Sequence, residues 1–168
     1  VRHGLTLGEL AQMINSTWNP TPAQITVVPM QGWQRVMTWE ETCLPWVPPS
    51  PAMPHLSTLW HYPGACLIEG TTLSEGRGTA LPFEIVGAPW IDAMALAARL
   101  NDTFAEGVHF RPHSFRPAAS KWSGEVCHGV QVHITDLACW RPLDVWLRVI
   151  LAIRTMYPTL FEWLPQES

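Results

Sequence analysis

Charge is the scarcest commodity in this sequence: only 14% of its 168 residues are charged. The ten Lys and Arg are scattered without a run, and the formal net charge is -4. That gives no basic footprint for nucleic acid, so no nucleic-acid partner is expected. No stretch of eighteen apolar residues occurs, so no membrane span is expected either. The longest apolar segment, residues 145–153, is interrupted by Arg148 and reads as a packed helix. Four cysteines, Cys43, Cys66, Cys127 and Cys139, include no CxxC pair and no zinc spacing, which points to free, buried thiols with a single disulfide as the alternative. Among seven histidines, only His109 and His113 recur at a ligand-like interval. In a strand those two stand about 13 Å apart, too far to share a metal. No metal or other cofactor is therefore expected. There is no GxSxG, no P-loop and no GxGxxG, and Gly76-Arg77-Gly78 lacks the spacing and the following Lys-Ser/Thr of a phosphate loop. The chain opens Val1-Arg2-His3 with no Met, charged n-region or apolar h-region, which reads as an excised or processed piece of a longer protein.

What is present is a large apolar fraction, 47%, with ten Trp and sixteen Pro. The length suits one domain, or one domain with part of another. Thr6-Leu7-Gly8-Glu9 fits a capping box and predicts a helix over residues 7–15, with Leu7, Leu10, Ala11 and Ile14 on one face seeking a partner. The β-branched run Ile25-Thr26-Val27-Val28 predicts a buried strand within residues 24–30. Five prolines in residues 45–54 force an extended crossing or a junction between units. Residues 56–60 suggest a helical turn stopped by Tyr62-Pro63-Gly64, and residues 66–68 a short strand. Further strands are expected at 83–86, 107–115 and 129–135. Asp92 is a natural N-cap for a helix over 93–100, and Pro142 a natural first-turn residue for a helix reaching about Tyr157. The fold class predicted is α/β or α+β, a mixed sheet with flanking helices, its strands near Val27, Leu67, Ile85, Phe110 and Val132.

The stretch most suited to carry function is EGTTLSEGRGT, residues 69–79. It sets Glu69, Glu75 and Arg77 among glycines and hydroxyls between two apolar runs, the composition of a binding loop on a rigid scaffold or of a plain polar turn. The chemistry available is that of carboxylates. Cleaving a glycosidic bond needs one protonated and one ionised carboxyl group. Glu69, Glu75, Glu84 and Glu125 are the acids with apolar or aromatic neighbours. Arg77 is better suited to hold a carboxylate or clamp an anionic ligand than to raise a neighbour's pKa.

The blocks RHGLTLGELA (2–11), ITVVPMQGWQR (25–35), LPWVPPSPAMP (44–54), YPGACLIEGTTLSEGRGT (62–79), PFEIVGAPWID (82–92) and YPTLFEW (157–163) resemble the NamZ-type peptidoglycan exo-β-N-acetylmuramidases. The resemblance implies an enzyme that removes N-acetylmuramic acid from the non-reducing end of cell-wall glycans, outside the cytoplasm. It implies a Rossmann-like N-terminal domain, a smaller C-terminal domain and an active site between them. Family members are about twice as long, so this chain matches the tail of the first domain (residues 1–60, including the Pro-rich junction) and the C-terminal domain (61–168). The half that carries the family's catalytic Glu is absent from it. The resemblance assigns Glu69, Glu75, Arg77, Arg2, His3 and Trp33 to substrate contact, with Arg77 facing the lactyl carboxylate of muramic acid. The implied partners are peptidoglycan-derived glycans or muropeptides and the upstream domain of the same protein. The alternative is a glycan-binding module without hydrolysis.

Overall fold

In the computed structural model, which describes residues 4–104 and 106–165, the chain divides into two compact units, Val1–Trp46 and Val47–Ser168. The described residues hold four α-helices and a three-stranded sheet, within the α/β or α+β class expected.

In the first unit, α1 (Leu7–Thr17) starts where the capping box requires. Thr6 Oγ1 accepts the Glu9 amide at 3.2 Å, and Glu9 Oε2 accepts the Thr6 amide at 2.7 Å. Its apolar face, however, buries none of its residues, and Leu7 is 83% exposed. The strand expected around Val27 is absent. Residues 24–30 are extended and pass so close to α1 that a Cβ on Gly8 would lie 2.6 Å from Val27 Cγ1, but no neighbouring strand among the described residues pairs with them. β-branched residues favour a strand only when a ladder partner exists, and Val28 stays 87% exposed.

The second unit is built on an antiparallel sheet of β1 (Ile85–Ala88), β2 (Val108–Phe115) and β3 (Cys127–Ile134), in the order β1-β3-β2. The register pairs Phe110 with Val132 and Val86 with Val130, so alternate residues line one core face. Against that face packs α3 (Ala93–Thr103), and α4 (Pro142–Met156) packs on α3 and on α2 (Leu56–Ala65) to complete one core, in which Trp146, Ile150 and Ile153 of α4 are fully buried with Phe83, Leu96 and Leu100. Asp92 caps α3 by accepting the amides of Met94 and Ala95, both at 3.0 Å. Asn101 closes the free edge of β2, donating to Phe110 O at 2.8 Å and accepting from Phe110 N at 2.9 Å.

Two local expectations fail here for identifiable reasons. Tyr62-Pro63-Gly64 does not stop α2, which runs on to Ala65. Pro63 gives up only the one bond its own amide would donate to the carbonyl of Leu59, and the helix ends two residues later. Gly64 is needed there, because a Cβ would come 2.2 Å from Pro142 O at the crossing with α4. Residues 66–68 are not a strand around Leu67 but part of a 3-10 helix, Cys66–Gly70, that tightens the end of α2. A short apolar run does not distinguish strand from helix by period alone. The cysteines are all free as expected, but only Cys127 is buried, while Cys43 and Cys139 are exposed.

Candidate functional site

The loop of residues 69–79 leaves the 3-10 helix at Gly70 and lies along the open edge of β1, where Ser74 and Gly87 exchange backbone hydrogen bonds of 2.8 and 3.1 Å. Its other side is held by the chain's aromatic tail: Leu164 N donates to Gly70 O at 2.9 Å, and Trp163 bridges Thr71 with its ring half-exposed. Gly76 has φ +79° and sits against Ile85, so close that a Cβ would lie 2.5 Å from Ile85 Cγ1. Only glycine satisfies both conditions.

This path brings Glu69, Glu75 and Arg77 together. Arg77 Nε lies 3.1 Å from Glu75 Oε1 and donates to Glu69 Oε1 at 3.2 Å, while Nη2 pairs with the same Glu69 oxygen. The guanidinium rests on the Phe83 ring, 5.0 Å from its centroid. The hydrogen bond that Arg77 donates to Glu69, reinforced by the two carboxylate charges against partial burial, raises the Arg77 pKa further above its already high ordinary value. Among the described residues no acceptor occupies Nη1, and the side chain is 35% exposed, which leaves guanidinium protons available to a ligand. A guanidinium of this kind matches a ligand carboxylate in bidentate fashion.

Glu75 and Glu69 are not equivalent. Glu69 is exposed at the rim, whereas Glu75 is 1% exposed and lies beneath Arg77. Its Oε1 accepts from Ser120 Oγ at 3.3 Å, and its Oε2 stands 3.0 Å from Lys121 Nζ. The ammonium directs its protons mainly at the carbonyls of Ile68 (2.9 Å) and Thr71 (3.0 Å), so its contact with Glu75 Oε2 is an ion pair rather than an aligned hydrogen bond. Trp122 completes the clamp by donating Nε1–H to Thr72 O at 2.7 Å.

Sequence reasoning singled out none of Ser120, Lys121, Trp122 and Phe83 as site residues. One signal was available: Lys121 is the only lysine among the ten Lys and Arg. The backbone conformation that brings these groups in was not legible, since Phe83, Ser120 and Trp122 all adopt positive φ (64°, 66° and 59°) without being glycine. Such residues cluster where surrounding structure over-determines the backbone, often at functional sites.

The remaining acids and candidates lie elsewhere. Glu84, 8% exposed, accepts from Ser57 Oγ (2.8 Å) and Thr58 Oγ1 (2.9 Å) at the start of α2, and Glu125 is exposed. Trp33 belongs to the first unit, where it lines a cavity of about 890 Å³ with Thr6, Gln12, Val27 and Met37. Arg35 lies over the Trp33 ring at 5.7 Å and pairs with Glu9 at 2.6 Å. That hydrogen bond, with the Thr6 amide, pulls the Glu9 pKa down to about 2. Arg2 and His3 fall outside the described residues. Among the described residues no three His, Cys, Asp or Glu side chains converge as metal ligands would, and no helix is long and apolar enough to cross a membrane.

Comparison with known proteins agrees across the whole chain. Residues 60–167 match the family model described as exo-β-N-acetylmuramidase NamZ, C-terminal, and residues 1–57 its N-terminal counterpart. The chain is 45% identical over all 168 residues to the peptidoglycan β-N-acetylmuramidase NamZ of Bacillus subtilis, of which it covers 40%. Two crystal structures of DUF1343 family proteins from Bacteroides fragilis are similar. One has a TM-score of 0.83 at 36% identity, covering 92% of this chain and 41% of that one. The other has a TM-score of 0.56 at 30% identity, covering 87% and 36%. With nearly its whole length matched in order by the two models of one family, the chain belongs to the NamZ family of exo-β-N-acetylmuramidases and spans about 40% of the length of the curated relative.

Proposed function

We propose that this chain forms part of a peptidoglycan exo-β-N-acetylmuramidase, an extracytoplasmic glycoside hydrolase, and supplies one wall of its substrate cleft. Arg77 is the group that recognises N-acetylmuramic acid. The observation that carries the reading is the part-exposed Arg77 guanidinium, held in a fixed plane by Glu69, Glu75 and Phe83. Muramic acid differs from the other glycan sugar, N-acetylglucosamine, by its lactyl carboxylate, and a braced guanidinium fork is suited to that difference. Glu69 at the rim contacts the sugar, and the buried Glu75 acts through Arg77.

Both loop carboxylates are engaged by Arg77, which favours recognition over independent catalysis for this part of the protein. The principal catalytic carboxylate then comes from the upstream part of the polypeptide. In the first unit, the exposed faces of α1 and of residues 24–30, with Leu7, Val28 and Met30 each more than half exposed, offer the apolar surface on which that part would pack. Arg2, His3 and Trp33 are retained as further substrate contacts.

The reading is tested by release of muramic acid from a chromogenic muramide. The chain alone should give none, and the chain extended upstream to the length of its relatives should give release. Failure of the extended protein to release muramic acid removes the hydrolase reading. If muramic acid binding persists without release, the protein is a cell-wall glycan-binding module instead.

A further inference from the structure

We propose that Lys121 is a positioning residue, setting through Glu75 and the Glu69 turn the plane in which Arg77 meets a ligand carboxylate. The inference rests on the muramic acid reading of Arg77 given above and extends it to a residue from a different loop.

A single ammonium here holds both of the carboxylates that brace Arg77. It reaches Glu75 directly, at 3.0 Å from Oε2. It reaches Glu69 through the backbone, donating to the carbonyls of Ile68 at 2.9 Å and Thr71 at 3.0 Å, with Glu69 O at 3.5 Å. Those carbonyls flank the turn that carries Glu69, so the ammonium fixes where that side chain begins. Three protons radiating from one small nitrogen suit the carbonyls of Ile68, Glu69 and Thr71 while its charge faces Glu75, an arrangement that a planar guanidinium fork does not fit.

The turn that delivers Lys121 is itself constrained. Ser120 and Trp122, on either side, are both left-handed, at φ 66° and 59°. Each is tied to the same loop, Ser120 through Glu75 and Trp122 through Thr72 O. Gly78 packs against this turn, where a Cβ would come 2.4 Å from Ala119 N, and its carbonyl accepts the Ala118 amide at 3.2 Å. Lys121 does not engage Nη1 of Arg77, so it acts through other residues and is not itself a ligand group.

The test compares N-acetylmuramic acid with N-acetylglucosamine, titrated calorimetrically into the whole 168-residue chain and its Lys121→Met variant. Muramic acid affinity should fall by about ten-fold or more, the scale of a lost hydrogen bond to a charged group, and N-acetylglucosamine affinity should fall by much less. Equal loss for both sugars, or no loss for either, overturns the proposal. A second readout needs no ligand: hydrogen exchange of the Arg77 Nε–H by NMR. In Lys121→Met it should accelerate about ten-fold while the amides of Val149 and Ile153 in the core keep their protection. Unchanged Nε–H exchange overturns the proposal even where the unaltered chain shows no preference for muramic acid, an outcome that counts against the Arg77 reading alone. Should Lys121→Met fail to fold, Lys121→Arg decides by the same two measurements: it keeps the charge but not the three-way geometry, so faster exchange supports the proposal and wild-type exchange overturns it.

Discussion

Glu75 Oε1 lies 3.1 Å from Arg77 Nε, and this contact converts a buried carboxylate into the support of an exposed cation. Glu75→Gln keeps the shape of the side chain and removes its charge, leaving Arg77 and Lys121 as two cations around a neutral amide. Removing one partner of a buried ion pair costs about 3–5 kcal/mol, and the partial exposure of Arg77 reduces this to roughly 2–3 kcal/mol. Urea unfolding of the chain and its variant checks the figure. A loss below about 0.5 kcal/mol would show that the pair does not stabilise the loop.

At the crossing of α2 and α4, Gly64→Ala inserts a methyl group 2.2 Å from Pro142 O and 2.8 Å from Trp146 Cδ1. One contact is backbone, which cannot swing away. The expected loss is about 3 kcal/mol, at the upper end of overpacking effects. Thermal unfolding should record a midpoint several degrees lower, and an unchanged midpoint would mean that the helices separate freely there.

His61 is 2% exposed, edge-on to Trp140 at 5.2 Å and Trp146 at 5.9 Å, and its Nδ1 has no hydrogen-bond partner. Burial, with a smaller contribution from His133, pushes its pKa down from 6.5 to about 4. The folded state therefore binds this proton less readily than the unfolded state. Its stability is complete above about pH 6.5 and falls as the pH drops towards 4, by about 3 kcal/mol in all at 1.36 kcal/mol per pKa step. His61→Phe should flatten that part of the profile, measured by denaturant unfolding at pH 7.5 and pH 4.5. An equally steep fall in the variant would assign the pH dependence to other groups.

How far the sequence foretold these features depends on whether the cause was local. The Thr6–Glu9 capping box, the Asp92 cap, Pro142 at the start of α4 and the alternation in residues 129–135 are each decided within a few residues, and each appears in the structure. Val27 and Leu67 were misread because apolar or β-branched runs take their state from neighbours that are not in the run. The site divides in the same way. Glu69, Glu75 and Arg77 are close in sequence and were readable as one loop. Lys121 joins them from about fifty residues away, on a turn with two left-handed non-glycine residues that no local preference announces.

The central claim is that Arg77 reads the lactyl carboxylate, and calorimetric titration of N-acetylmuramic acid and N-acetylglucosamine into the unaltered chain and Arg77→Lys tests it most directly. The unaltered chain should prefer muramic acid. In the variant, which keeps the charge but loses the guanidinium fork, that preference should fall by about ten- to a hundred-fold, as expected for charge-assisted hydrogen bonds worth about 1.5–3 kcal/mol, with N-acetylglucosamine binding unaffected. Equal preference in the two proteins, or none in the unaltered chain, would contradict it.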